Sequence, residues 1–170
     1  DDTTLLVGDE RTYVLIEKMI KSASAPFRTN RIHIGLDEAF LLGQGKYLMR
    51  NGPRDKSEIM QEHLKRVYSI TEKYNLSPMM WGDMFFRLLE NGAECYGENN
   101  DVPTSVKAMI PDNVNLVYWD YYSKEKSNYD KRIKEHSAIK DNVWFAGGLW
   151  TWSGFAPHNS FSIETTKAAF

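Results

Sequence analysis

The stretch Arg31-Ile32-His33-Ile34-Gly35-Leu36-Asp37-Glu38 decides how this chain is read. Its short apolar run with two β-branched isoleucines predicts a strand over 31–36 rather than a helix. The run closes on two adjacent carboxylates. Asp37 and Glu38 repel each other, and burying either costs desolvation, so such a pair raises one pKa and can turn a carboxyl into a general acid near neutral pH. The dipeptide alone better suits a solvated acidic turn with Glu38 starting a helix.

Working outward, the same arrangement recurs. Upstream, Tyr13, Ile16, Glu17 and Ile20 follow Asp9-Glu10 at helical spacing, and Pro26 stops the run. Downstream, a Gly-rich loop (Gly43, Gly45, Asn51-Gly52-Pro53) leads to Ser57 and Glu58, which open a helix to about residue 75 with Ile59, His63, Val67 and Ile70 on one stripe. Ser77-Pro78 punctuates, and a second strand at 79–81 ends near Gly82-Asp83. Residues 84–112 read as a little helix at 85–89 followed by a loop. A third strand at 115–119 ends at Asp120, a charged helix follows at 128–139, and a fourth strand at 143–148 ends near Leu149-Trp150, before a last helix after Pro157-His158-Asn159-Ser160.

Strands alternating with helices predict an α/β fold with a parallel sheet. Every strand ends in a polar or aromatic cluster. A β/α barrel gathers all its C-terminal strand ends at one mouth, whereas an open doubly wound sheet collects them only at a switch point. The expected fold is therefore part of a (β/α)8 TIM barrel, about four central-to-late units, with 1–170 forming one partial catalytic domain. The chain starts without Met and stops inside a helix-like run, 163–170, so it reads as a piece of a longer protein whose early strands and last unit lie outside it. Half a barrel leaves open sheet edges and an apolar inner face. Further strands, or a second copy in a homodimer, would close it, and the piece alone is expected to be inactive.

Composition narrows the function classes. A net charge of −2 offers no basic footprint, which argues against nucleic acid as a partner. No apolar run reaches membrane-spanning length. Cys95 is the only cysteine, so no internal disulfide can form, and a reducing, cytoplasmic compartment is the expectation, with secretion left open. No two histidines have ligand spacing with a carboxylate, so neither a catalytic metal nor another cofactor is expected. Gly43-Gln44-Gly45-Lys46 lacks the flanks of a phosphate-binding loop, and Cys95 has no base partner that would make it a nucleophile. Aromatics make up 13% of residues and cluster at strand ends, which suits either a rich core or a surface for stacking on a ligand's apolar faces.

His33-Ile34-Gly35-Leu36-Asp37-Glu38 matches the H-x-G-x-D-E signature of family-20 glycoside hydrolases, the β-N-acetylhexosaminidases, and the chain resembles that family beyond the hexapeptide. Trp81, the Tyr118-Trp119-Asp120 unit and Leu149-Trp150-Thr151-Trp152 fall in the family's order, so the resemblance spans roughly residues 31–152. Met80-Trp81-Gly82-Asp83 and residues 148–154 look most like the bacterial branch, which removes terminal N-acetylglucosamine and N-acetylgalactosamine. One departure stands out: many members carry Trp-x-Glu at the fourth strand end, where this chain has Trp152, so Asp83 or Asp120 is expected to take over a sugar hydroxyl. The family's substrate-binding arginine comes from an early strand outside this chain.

The resemblance implies a retaining exo-glycosidase acting on glycans with a terminal β-linked N-acetylhexosamine. In this family the substrate's own acetamide oxygen, not an enzyme carboxylate, attacks the anomeric carbon. Glu38 would then protonate the leaving oxygen and later deprotonate water. Asp37 would orient the acetamide N–H and stabilise its developing charge, while Tyr118 would donate its hydroxyl to the acetamide oxygen. His33, Trp81, Asp83, Trp119, Asp120, Trp150 and Trp152 complete the expected substrate-binding set. Of these, His33 could also be a satisfied, partly buried histidine, and Trp119, alternating with Tyr118 and Asp120, could point into the barrel wall. Trp144, at the start of its strand, is expected in the core. Two other readings are a barrel glycosidase using Asp83 or Asp120 as nucleophile, and an inactive sugar-binding fragment.

Overall fold

The computed structural model describes residues 4–89, 107–152 and 154–170. In chain order the elements are α1 (Glu10–Ser24), β1 (Arg31–His33), α2 (Lys46–Asn51), α3 (Lys56–Lys73), β2 (Ser77–Trp81), α4 (Asp83–Leu89), β3 (Asn115–Trp119), α5 (Lys126–Ile139), β4 (Val143–Ala146) and α6 (Asn159–Ala169). The strands form one parallel sheet in the order β1-β2-β3-β4. The expected α/β alternation and parallel sheet are thus present. Cys95 and the loop expected around it lie outside the described residues.

Local chemistry sets the helix ends. Asp9 caps α1 by accepting the Arg11 N–H, and Asp55 caps α3 by accepting from Ser57 and Glu58, so α3 starts slightly earlier than Ser57 suggested. After α3, Asn75 adopts a left-handed φ of 54°, the turn a helix needs to reverse into a strand. The stretch read as loop between 43 and 53 contains α2, anchored by buried Tyr47. β2 starts earlier than expected and includes Pro78. β3 pairs with β2 only from Met79 onward, so at Pro78 the strand still has a free side and needs no N–H there.

Strand alternation divides the sheet into two faces. Register puts Ile32 with Pro78, Met80 with Leu116 and Val143, and Tyr118 with Phe145 on one face. This face packs on the helices. Met80 and Leu116 cluster with Leu64 of α3, Phe85 and Phe86 of α4 and Ile139 of α5, while Ile32 meets Tyr13 and Ile20 of α1 and Val67 of α3. Met80, Leu116 and Leu64 are fully buried, and each contributes roughly 1.5–3 kcal/mol by leaving water. Exposed ion pairs such as Arg66–Glu10 also join α1 to α3 but add little by comparison.

The opposite face carries His33 with Met79 and Asn115, Trp81 with Val117 and Trp144, and Trp119 with Ala146. It is far less covered: in β2 burial alternates residue by residue, and Trp144 is 43% exposed rather than in the core. Trp144 shares this face with Arg31, whose guanidinium lies 4.9 Å from its ring although β1 and β4 are the two edges of the sheet. Among the described residues no helix is long and apolar enough to cross a membrane.

Two buried histidines belong to the helix layer. His63 faces Tyr13 with Nδ1 3.3 Å from the hydroxyl, and His136 sets Nδ1 2.8 Å from the Arg132 carbonyl. Burial pushes both from the usual 6.5 down to about 4. Between those values the unfolded chain binds more protons than the folded one, so this stability is complete above pH 6.5 and is lost as pH falls toward 4. The slope is about 1.4 kcal/mol per pH unit for each histidine. Proton NMR should find two of the four imidazoles titrating near pH 4, and urea unfolding should show stability falling from pH 6.5 to 4.5. Four ordinary midpoints and a flat profile would contradict this.

Candidate functional site

The C-terminal strand ends gather the residues singled out in the sequence. Past His33 the β1 strand stops, because Gly35, Leu36 and Glu38 all take positive φ (76°, 73° and 46°). Glycine adopts this readily. For Leu36 and Glu38 it is strain of order 1–3 kcal/mol each, held only where surroundings enforce it. The Leu36 side chain is pinned between two core clusters. Glu38 is pinned through its backbone, whose N–H donates to Asp83 Oδ2 at 3.3 Å. The Asp37 and Glu38 side chains are exposed.

His33 accepts the Gly35 N–H on Nδ1 at 3.1 Å, which leaves Nε2 to carry the proton of the neutral ring. Its ring lies 4.2 Å from that of Trp81. Desolvation lowers the His33 pKa and the nearby Asp37 charge partly offsets this.

Asp83 is 1% exposed. Besides the Glu38 amide it accepts the Trp119 indole N–H on Oδ1 at 3.3 Å. Burial raises its pKa, the two bonds oppose the rise, and the Asp37 charge adds to it. Gly82 sets its place: a Cβ there would come within 2.5 Å of His136 Nε2, so only glycine lets β2 turn into α4 against that ring.

Tyr118 and Trp119 take opposite faces, as alternation requires, with Tyr118 rather than Trp119 on the face turned to the helices. Tyr118 is on the helix side, 1% exposed, its ring near those of His136 (5.0 Å) and Phe145 (5.6 Å). Its hydroxyl donates to Asp120 Oδ2 at 2.7 Å. Trp119 is on the other side, reaching Asp83. The second oxygen of Asp120 accepts the backbone N–H groups of Tyr122 and Ser123, so Asp120 shapes the turn after β3.

That turn presents two tyrosines that sequence reasoning passed over. Tyr121 stacks on Trp119 at 5.5 Å and meets Trp152 edge-on at 4.9 Å, and Tyr122 meets Trp150 edge-on at 5.0 Å. Burial raises the pKa of both hydroxyls; Glu38 adds to the rise in each, and Asp37 in Tyr121. Trp150 donates its indole N–H to the Tyr121 carbonyl at 2.7 Å and stacks on Trp152 at 5.2 Å. Gly148 admits this packing, since a Cβ there would lie 2.7 Å from the Tyr121 ring. The available signal was the adjacent pair Tyr121-Tyr122 directly after Asp120.

The contacts therefore run unbroken across the strand ends, from Glu38 through Asp83, Trp119 and Tyr121 to Trp150 and Trp152. Two cavities adjoin them. One of about 380 Å³ lies between α1, β1 and α3, is mostly apolar and includes His33 and Asp37. The other, about 430 Å³, is lined by Asp83, Tyr118, Trp119, Asp120 and Tyr122, with Lys131 and Arg132 from α5. No group of histidine, cysteine and acidic residues suited to a metal ion occurs among the described residues. The molecule is thus an α/β protein with an acidic and aromatic site at its strand ends. No family model matches the chain, and a search of curated proteins finds no match to it.

Gly82→Ala should destabilise the fold by about 1–3 kcal/mol, because the new methyl must displace the His136 ring. Thermal unfolding checks this; an unchanged midpoint would contradict the packing at Gly82.

Proposed function

We propose that this chain is the catalytic part of a retaining β-N-acetylhexosaminidase of glycoside hydrolase family 20, built on a (β/α)8 barrel and acting in the cytoplasm on glycans with a terminal N-acetylhexosamine. The observation that carries the reading is the joining of the Asp37-Glu38 loop to an aromatic wall drawn from the other three strand ends. Two features support the barrel. The strand order steps in one direction with no reversal, the described helices pack on one face, and the face bearing Trp81 and Trp144 is left for closing strands to cover.

In this reading a hexosamine ring sits against Trp81, Trp119, Trp150 and Trp152, whose apolar surfaces suit the faces of a pyranose. Glu38 protonates the glycosidic oxygen as the acetamide oxygen attacks the anomeric carbon, giving an oxazolinium-like intermediate. Glu38 then takes a proton from the water that opens it. Asp37 accepts from the acetamide N–H. Holding the internal nucleophile in place contributes several kcal/mol to catalysis. The hydroxyl for the acetamide oxygen comes from Tyr121 or Tyr122, which feel the charge of Glu38. Tyr118 instead supports Asp120. A glycosidase with an enzyme nucleophile is less well supported, because Asp83 is buried and both carboxyl oxygens of Asp120 are engaged, one by the amides of its own turn and the other by the Tyr118 hydroxyl.

The intact protein should release 4-nitrophenol from its N-acetyl-β-glucosaminide and be strongly inhibited by N-acetylglucosamine thiazoline. Glu38→Gln should lower kcat about 10²–10⁴-fold on substrates with poor leaving groups, with sugar binding largely kept. Absence of turnover would leave a sugar-binding role, and turnover insensitive to thiazoline would point to a carboxylate nucleophile.

A further inference from the structure

We propose that Asp83 is a positioning residue, one that holds Glu38 in its left-handed backbone conformation and ties it to the indole of Trp119. The proposal rests on the glycosidase reading of the site and assigns Asp83 a role other than binding a sugar hydroxyl.

The geometry is specific. Asp83 Oδ2 accepts the Glu38 N–H and Oδ1 the Trp119 indole N–H, from partners 45 and 36 residues away, one in the loop after β1 and one at the end of β3. At 1% exposure Asp83 is almost closed to solvent, although it borders the 430 Å³ cavity at the strand ends. A buried carboxyl is costly unless hydrogen bonds satisfy it, and here the bonds go to the backbone of the expected acid and to an aromatic wall of the pocket. Glu38, at φ 46°, needs an external anchor to stay in that region. Asp83 in turn is fixed by Gly82, whose backbone N–H donates to the Val117 carbonyl at 3.0 Å while His136 closes the space above it. The β2 strand end thus acts as a strut between the acid on one side and the aromatic wall on the other. Raising the Asp83 pKa by burial fits a carboxyl almost closed to solvent.

Asp83→Asn tests this in the intact protein. The substitution is isosteric, keeps one acceptor and places an NH₂ where the second N–H now docks; Asp83→Ala, which removes both acceptors, should be more severe. In Asp83→Asn, kcat on an aryl N-acetyl-β-glucosaminide should fall about 100-fold with KM little changed, the mark of misplaced chemistry rather than lost binding. A crystal structure of the variant should find Glu38 out of the left-handed region. A raised KM with kcat intact would mean that Asp83 touches the sugar and would overturn the proposal, as would Asp83→Asn with both kcat and the Glu38 backbone unchanged. If the wild type turns over no N-acetylhexosaminide, the glycosidase reading fails, while the Glu38 backbone in the variant still decides the role of Asp83.

Discussion

The structure depends on its four parallel strands being laid down in one direction. Each strand then sends alternate side chains to the helices and the rest to the opposite face. Met80, Leu116, Tyr118 and Phe145 meet α3, α4 and α5, while Trp81, Val117, Trp119 and Trp144 face away from them. Because all strands run the same way, their C-terminal ends lie together, and so do the residues that follow them. The site is a consequence of this arrangement: residues from different strands, such as Glu38 and Asp83, 45 positions apart, become neighbours because each leaves the sheet at the same end.

Polar chemistry enters that end through backbone contacts as much as through side chains. Glu38 is held by its amide and the turn after β3 by two amides on Asp120, while Trp150 bonds to a backbone carbonyl. Such bonds fix where a loop lies and leave the Asp37 and Glu38 carboxyls exposed at its tip, within reach of a ligand. The aromatic rings supply the complementary part, a wall with apolar faces and few degrees of freedom.

Much of this was legible in the residues. The bounds of β3 were read correctly, since 115–119 is a clean apolar run, and the alternation of strands with helices set the fold class. β1 proved shorter because Gly35 and Leu36 both take positive φ, and an apolar residue such as Leu36 gives no hint of that. The helix α2 was hidden in a stretch dominated by glycine, where propensity argues for loop and the buried Tyr47 argues otherwise. The faces of Tyr118 and Trp119 could not be read from alternation alone: both neighbours are aromatic, so the phase comes from what packs behind the sheet, here His136. Trp144 looked like core by residue type, yet it lies on the less covered face. Tyr121 and Tyr122 follow the Tyr118-Trp119-Asp120 unit directly, and nothing in that motif's spacing points to them.

In the proposed reading the acid pair and the aromatic wall serve one hexosamine ring. A crystal structure of the intact protein with N-acetylglucosamine thiazoline bound tests it most directly. The ring is expected against Trp150 and Trp81, with the thiazoline nitrogen on Asp37 and the C1 substituent position beside Glu38. A ligand seated in the apolar cavity between α1 and α3, or one that leaves Asp37 and Glu38 without contact, would contradict it.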